Sequence, residues 1–159
     1  MLGLPQMKLA WIVLSGPEPE CRAASERLET IADAFLSANT PSQRALPLWL
    51  QTKDVFVAEV LERVKGNFEI LCETIGDGGA THGSPLHEPE GGWYAVLPLP
   101  EGIDDERITL RLLENQDVLV HPGYFFDFKE EVLVLSLLPE PERFREGARR
   151  IREGIGSLC

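Results

Sequence analysis

The chain is 159 residues long, carries a formal net charge of −11 and has an apolar fraction of 43%. Because nucleic-acid affinity depends on basic side chains that displace counterions, this acidity excludes DNA and RNA as partners. No apolar run is long enough to cross a bilayer, and the first residues lack the charge order of a secretory signal. We therefore expect a cytoplasmic protein that has no membrane partner.

The first part of the chain predicts a strand and two helical segments. An apolar run at residues 9–14 is stopped by Ser-Gly-Pro, as is typical of a short buried strand. Apolar residues at helical spacing then predict a helix over residues 17–37. Pro41 disfavours helix in the residue before it, so a new, short helix is expected after this break.

A long helix and a loop follow. Apolar residues keep a helical stripe from residue 53 to residue 75, which predicts one long helix. Glycines and prolines are dense from Gly76 to Gly92, as is typical of a loop.

The last third of the chain predicts three strands and two helices. Strands are expected at residues 93–97, 118–121 and 132–138, and the last of these is apolar throughout, as in a strand covered on both faces. Asp104 is suited to cap a helix that runs to residue 115. Phe144, Ala148, Ile151 and Ile155 give the C-terminal segment an amphipathic helical pattern. We expect the strands to form one sheet against which this helix packs.

Residue spacing alone reveals no catalytic or metal-binding motif. His82, His87 and His121 do not form a metal-ligand pattern, so no metal site is predicted. The serines lack the context of a nucleophile elbow, and the glycine-rich segment lacks the lysine of a phosphate-binding loop. The aromatic segment at residues 124–128 is more typical of a packed turn than of a ligand-stacking site.

Several segments in a fixed order carry a resemblance to a known family. They are Leu-Pro-Gln-Met-Lys-Leu-Ala-Trp-Ile at residues 4–12, Ser-Gly-Pro at 15–17, Asn-Thr-Pro-Ser-Gln at 39–43, Gly-Gly-Trp-Tyr at 91–94, Leu-Leu-Glu at 112–114, Val-Leu-Val-His-Pro-Gly at 118–123 and Phe-Phe at 125–126. Together they resemble the C-terminal part of class I and II aminotransferases that depend on pyridoxal phosphate. The resemblance covers nearly the whole chain.

The resemblance implies an α/β architecture in which a mixed sheet is covered by helices. Residues 1–52 would be the C-terminal edge of the large cofactor-binding domain, 53–76 a long connecting helix and 77–159 the small domain. The parent protein would use pyridoxal 5'-phosphate to transfer an amino group between an amino acid and a 2-oxo acid. It would also be a homodimer, as is usual in the family.

One cofactor-binding residue is implied, and two expected residues are missing. Lys8 falls where the family places a cation against the cofactor phosphate; the alternative is an ordinary surface lysine. None of the lysines, which are Lys8, Lys53, Lys65 and Lys129, lies in a Ser-x-x-Lys segment, so no catalytic residue is assigned. Val134 aligns with the arginine that grips the substrate carboxylate, and a valine cannot form that bidentate contact.

These departures leave three functional hypotheses. The first is a C-terminal fragment of an aminotransferase that is inactive by itself. The second is a non-catalytic protein-interaction domain derived from the family, and the third is an unrelated acidic protein-binding module. Under the first, the partner strands of residues 9–14 are absent, so we expect self-association or disorder in the first forty or so residues.

Overall fold

The structure, a computed structural model, describes residues 4–76 and 86–157. The chain forms two compact units, Met1–Ala58 and Glu59–Cys159, and the boundary between them falls within helix α2, Thr40–Ile75. The domain limits predicted from the sequence, at residues 52 and 76, remain a prediction.

The first unit consists of helical segments. A 3-10 helix at Pro5–Met7 is followed by α1, Glu18–Ala32, and by the start of α2. α1 ends five residues earlier than the predicted end at residue 37, because the N–H groups of Ala34 and Phe35 donate to carbonyls three residues back and tighten the chain into a turn. No residue of α1 is buried.

The strand predicted at residues 9–14 is wrong. None of these residues lies in a strand, and Trp11, Ile12 and Val13 are exposed. A strand needs a neighbour to receive its hydrogen bonds, and residues 4–76 contain no other strand. An apolar run alone is therefore insufficient to form this element.

The short and long helices expected in the middle of the chain are one continuous helix, α2. It starts at the predicted break because the side chain of Asn39 accepts a hydrogen bond from the Ser42 N–H over 2.9 Å, which caps the helix. Pro47 lies inside α2 and can donate no backbone hydrogen bond there.

The second unit is built on a three-stranded sheet in the order β1-β3-β2. The strands are β1, Tyr94–Pro98; β2, His121–Pro122; and β3, Val132–Ser136, and both pairings are antiparallel. The central strand β3 is buried at four of its five positions, so the prediction of a strand covered on both faces is confirmed.

One face of the sheet packs against helices. Leu133 and Leu135 of β3 belong to the same apolar core as the buried residues of α4, Pro141–Gly156. The predicted positions Phe144, Ala148, Ile151 and Ile155 all lie in this core. The expectation of one sheet with the last helix against it is confirmed.

Helix α3, Asp105–Gln116, begins as predicted and shortens the strand expected after it. The Asp104 side chain accepts a hydrogen bond from the Arg107 N–H over 2.7 Å, which caps the helix. At its other end Asp117 is left-handed and the Val118 N–H donates to the Leu112 carbonyl over 3.2 Å. Because Val118 helps to end the helix, the strand predicted at residues 118–121 is reduced to β2.

Asn67 joins α2 to the segment between β3 and α4. It is fully buried, and its Nδ2 donates to the carbonyls of Leu137 over 2.9 Å and Pro139 over 2.8 Å. The amide therefore satisfies two carbonyls of a distant segment at once.

Among the helices of residues 4–76 and 86–157, none combines the length and the apolar character needed to cross a membrane.

We expect Asn67→Ala to lower the free energy of unfolding by about 1–3 kcal/mol, because the substitution leaves two carbonyls without their donor. The control is Glu69→Ala on the same helix, where the side chain is exposed and the change should stay within about 0.5 kcal/mol. Urea denaturation of both variants measures the difference. Equal stabilities would show that the Asn67 hydrogen bonds contribute nothing.

A surface network on α4 predicts a dependence on pH. Hydrogen bonds from Arg149 and Arg150 lower the pKa of the Glu146 carboxyl from 4.5 to about 2. A carboxyl whose pKa is lowered by folding stabilises the folded chain at pH values above its ordinary pKa. This contribution disappears as the pH falls towards the lowered pKa. Glu146→Gln should therefore be less stable than the original chain at neutral pH, and the difference should shrink between pH 4.5 and about 2.

The control for this prediction is a chain in which Arg149 and Arg150 are both replaced by Met. Adding Glu146→Gln to that variant should alter stability by a similar amount at each pH, because the hydrogen bonds that lower the pKa are gone. Thermal unfolding over the pH range provides the measurement. A pH-independent effect of Glu146→Gln in the original chain would contradict the prediction.

Candidate functional site

Lys8, the predicted cofactor-binding residue, follows the 3-10 helix Pro5–Met7 and has an exposed side chain. Its backbone is left-handed, with a φ of 51°. The turn is attached to the start of α2, because Asn39 Nδ2 donates to the Met7 carbonyl over 3.2 Å. Within residues 4–76 and 86–157 the Lys8 ammonium forms no ion pair. It is therefore available to an anion as a point charge.

A second candidate region lies in the other unit, on the face of the sheet opposite the apolar core. Directly paired residues of antiparallel strands share a face, so Val134 of β3 lies beside Val96 of β1 and His121 of β2. Val134 is only 2% exposed. The position that the resemblance assigns to a carboxylate-binding arginine is thus a buried valine at the middle of this face.

Six aromatic residues at and beside this face form a continuous series of ring contacts, which we call the ring surface. In order of contact they are Trp93, Tyr94, Phe126, His121, Phe125 and Tyr124. Neighbouring centroids are 4.8 to 6.0 Å apart. Phe126 contacts Tyr94 and His121 and so links the two edge strands. Apart from His121, the members are 36% to 61% exposed.

The turn that carries half of the ring surface is held by a buried carboxylate. Oδ2 of Asp105, at the start of α3, accepts a hydrogen bond from the Gly123 N–H over 2.7 Å. The Asp105 N–H donates to Glu131 Oε2 over 2.8 Å. Gly123 begins the 3-10 helix Gly123–Phe126, and a Cβ on it would lie 2.6 Å from Val132 Cγ2. The turn therefore requires glycine at this position and has a fixed attachment to α3.

The environment of the ring surface is acidic at its Tyr124 end. The Tyr124 hydroxyl donates to Glu106 Oε1 over 3.2 Å. Partial burial raises the pKa of Tyr124, and the hydrogen bond to Glu106 and the charges of Glu106 and Asp105 raise it further. In the described part of the chain, neither carboxylate forms an ion pair. This end of the ring surface therefore disfavours a further negative charge.

The described ranges contain no group of three or more His, Cys, Asp or Glu side chains arranged to hold a metal ion. His82 and Ser84 lie outside the described residues, together with most of the predicted glycine-rich loop. A cleft of about 220 Å³ between α3 and α4 is lined by Arg111, Asn115, Gln116 and their neighbours. It contains no pairing of nucleophile and base, so it suggests no chemistry.

Two solved aminotransferase structures share the fold of the chain. A probable N-succinyldiaminopimelate aminotransferase from Thermus thermophilus matches 85% of this chain and 35% of its own, with a TM-score of 0.65 and 29% identity. The kynurenine aminotransferase of Pyrococcus horikoshii matches 89% of this chain and 35% of its own, with a TM-score of 0.68 and 20% identity.

A curated relative agrees in sequence. The chain is 39% identical to the L-glutamine--4-(methylsulfanyl)-2-oxobutanoate aminotransferase of Bacillus subtilis (strain 168) over 64 residues. These residues make up 40% of this chain and 16% of that protein. The chain is similar to part of a fold-type I aminotransferase. No protein-family model matches it. The chain spans about a third of the length of the solved aminotransferases and less of the curated one.

The expected α/β architecture, similar to the small domain of an aminotransferase, is confirmed by these structures. The sheet differs from the expected mixed sheet, because both of its strand pairings are antiparallel. The role of Lys8 is untested by the comparisons and stays a prediction. The sequence does not predict the ring surface, because the segment at residues 124–128 is by itself more typical of a packed turn. The signal that was available is the recurrence of aromatic residues on either side of the loop and strand, at residues 93–94 and 124–126.

Gly123→Ala should destabilise the second unit by about 1–3 kcal/mol, because the added Cβ has no space beside Val132, Phe128 and Asp105. It should also weaken the near-ultraviolet circular dichroism that the packed rings produce. The matched control is Gly147→Ala in α4, where a Cβ meets nothing within 4 Å and helix propensity should add about 0.5–1 kcal/mol of stability. Urea denaturation tests both, and a Gly123→Ala chain as stable as the original would disprove the tight fit.

Proposed function

We propose that this chain supplies the small domain and the C-terminal edge of the large domain of a pyridoxal-phosphate-dependent aminotransferase. The reaction of the whole protein would be amino transfer between an amino acid and a 2-oxo acid. The main support is the fold match with two aminotransferases over 85% and 89% of this chain but only 35% of theirs. The relative from Bacillus subtilis is named for a reaction of this kind, between L-glutamine and a 2-oxo acid.

Lys8 is the residue that we propose to contact the cofactor, through its phosphate. Its ammonium is exposed and unpaired in the described residues, which suits an anionic group. Asn39 and Ser42 attach the preceding turn to α2 through the Met7 carbonyl, so the backbone before Lys8 is fixed. When bound, pyridoxal phosphate supplies an electron sink for amino-group chemistry, and this chain would supply part of its binding site.

The chain by itself is proposed to be inactive, since the remaining lysines suit a covalent role poorly. Lys53 is ion-paired with Asp54 over 2.6 Å, and Lys129 is followed by two glutamates. A lysine that is held in an ion pair is not free to attack a carbonyl carbon. Lys65 is exposed on α2 and therefore lies in no enclosed site that could hold a covalently bound cofactor. The lysine that binds the cofactor covalently would therefore come from another part of the protein.

A second candidate is a non-catalytic protein-interaction domain derived from the same family. It is favoured by the buried Val134 at the arginine position and by the lack of a Ser-x-x-Lys segment. For the first candidate we propose a homodimer, as the resemblance implies, and a cytoplasmic location.

The test is to incubate the purified chain with pyridoxal phosphate, reduce with borohydride and map the labelled lysines. We expect slow labelling that is scattered over several lysines, and no amino transfer to a 2-oxo acid. Lys8→Ala should weaken binding of the cofactor or of inorganic phosphate, whereas the control Lys65→Ala should not. Stoichiometric labelling of one lysine together with amino transfer would show that the chain is a complete catalyst.

A further inference from the structure

The ring surface is a large aromatic area that the second unit leaves open. Its five most accessible members are between 36% and 61% exposed, although their rings contact one another at 4.8 to 6.0 Å. Single exposed aromatic residues are common on proteins, but a connected group of this size usually marks a binding site. Flat rings provide contact area at little cost in conformational entropy, so they suit a flat or apolar ligand.

The ring surface is fixed before any ligand arrives. The Asp105 carboxylate binds the Gly123 N–H over 2.7 Å, and the Phe128 N–H donates to the Gly123 carbonyl over 3.3 Å. Asp127, with a φ of 61°, closes the 3-10 helix. A turn restrained at both ends presents its rings without a large loss of freedom on binding. This restraint distinguishes the ring surface from the exposed apolar residues of the loop at 11–14, whose backbone belongs to no helix or strand.

The charge around the ring surface selects among aromatic ligands. Asp105 and Glu106 lie at its Tyr124 end, and Glu131 is hydrogen-bonded to the Asp105 backbone. None of the three is ion-paired within the described ranges. At the middle of the face the buried residue is Val134, which provides no cation for a carboxylate. This end of the surface therefore attracts an ammonium group and repels a carboxylate.

We propose that the ring surface binds an aromatic or apolar compound that carries a cationic amine and no side-chain carboxylate. The identification of this compound as the amino donor of the enzyme rests on the proposed function. Binding itself depends only on the rings and on the acidic end. Aromatic and apolar amino donors are thus preferred to dicarboxylic ones at this domain. Phe126 and Phe125 provide the main stacking contacts, and Glu106 provides the charge preference.

Binding is tested on the isotopically labelled 159-residue chain by two-dimensional NMR, with three probes and no cofactor. 2-Phenylethylamine should shift the backbone amide signals of Tyr94, His121 and Phe126 in a saturable way. Phenylacetate, which has the same ring and the opposite charge, should bind roughly fivefold more weakly. L-Glutamate should leave these signals unchanged.

Three variants assign the effect to the proposed residues. Phe126→Ala should abolish the shifts caused by 2-phenylethylamine, and Phe125→Ala, at a more exposed position, replaces it if the first variant does not fold. Glu106→Gln should bring the affinities for the two ring probes to within about twofold of each other, because the charge preference is removed. The control Leu110→Ala, on the exposed side of α3, should change neither affinity.

The proposal is overturned if no probe shifts the ring-surface signals, if phenylacetate binds as tightly as 2-phenylethylamine, or if L-glutamate shifts the same signals. Its failure is distinct from failure of the proposed function. The probes report on the rings without cofactor or turnover, so binding can occur in a protein that never transfers an amino group. Conversely, a transaminase could be reconstituted whose ring surface binds none of the probes.

Discussion

The burial of strand β3 on both faces is the constraint on which the second unit depends. One set of its side chains, Leu133 and Leu135, closes the apolar core with α4. The other set, Val132 and Val134, lies beneath the face from which the ring surface extends. Because the strand is central, Leu133 and Val134 have paired neighbours in both edge strands, and few alternative positions remain for those strands. Strand β3 therefore holds both the apolar core and the candidate ligand face in place.

Polar contacts with long sequence separation fix the attachments around this strand. Asn67 binds carbonyls 70 and 72 residues away, and Asp105 binds the Gly123 N–H across 18 residues. Both side chains are buried, so their hydrogen bonds are protected from competition with water. The first contact joins α2 to the segment between β3 and α4, and the second holds the turn that carries Phe125 and Phe126. Structural stability and the geometry of the candidate site thus both depend on buried hydrogen bonds between distant segments.

The two candidate regions lie in different units and suit different chemical groups. Lys8 presents a positive charge without a partner in the described residues, which suits a phosphate. The ring surface presents aromatic area beside carboxylates, which suits a cationic or apolar group. In the proposed enzyme these preferences correspond to a cofactor and an amino donor. If Val134 occupies the arginine position, as the resemblance implies, aromatic packing would replace one ionic contact to the donor in the proposed enzyme.

The sequence by itself determined the helices and the strand whose signals come from residues close together in the chain. The amphipathic pattern of α4 and the Asp104 cap of α3 give the helices, because both signals act within a few turns. The continuous apolar run of β3 also indicated a doubly covered strand, and the sheet confirms it. The ordered segments further indicated the aminotransferase resemblance that the solved structures bear out.

Tertiary structure decided the rest. Residues 9–14 are as apolar as a strand but have no strand to pair with in residues 4–76, and Val118 is taken by the end of α3 instead of the sheet. The ring surface likewise exists only because folding brings residues 93–94 and 121–126 together, and contacts between segments so far apart leave no periodic signal in the sequence.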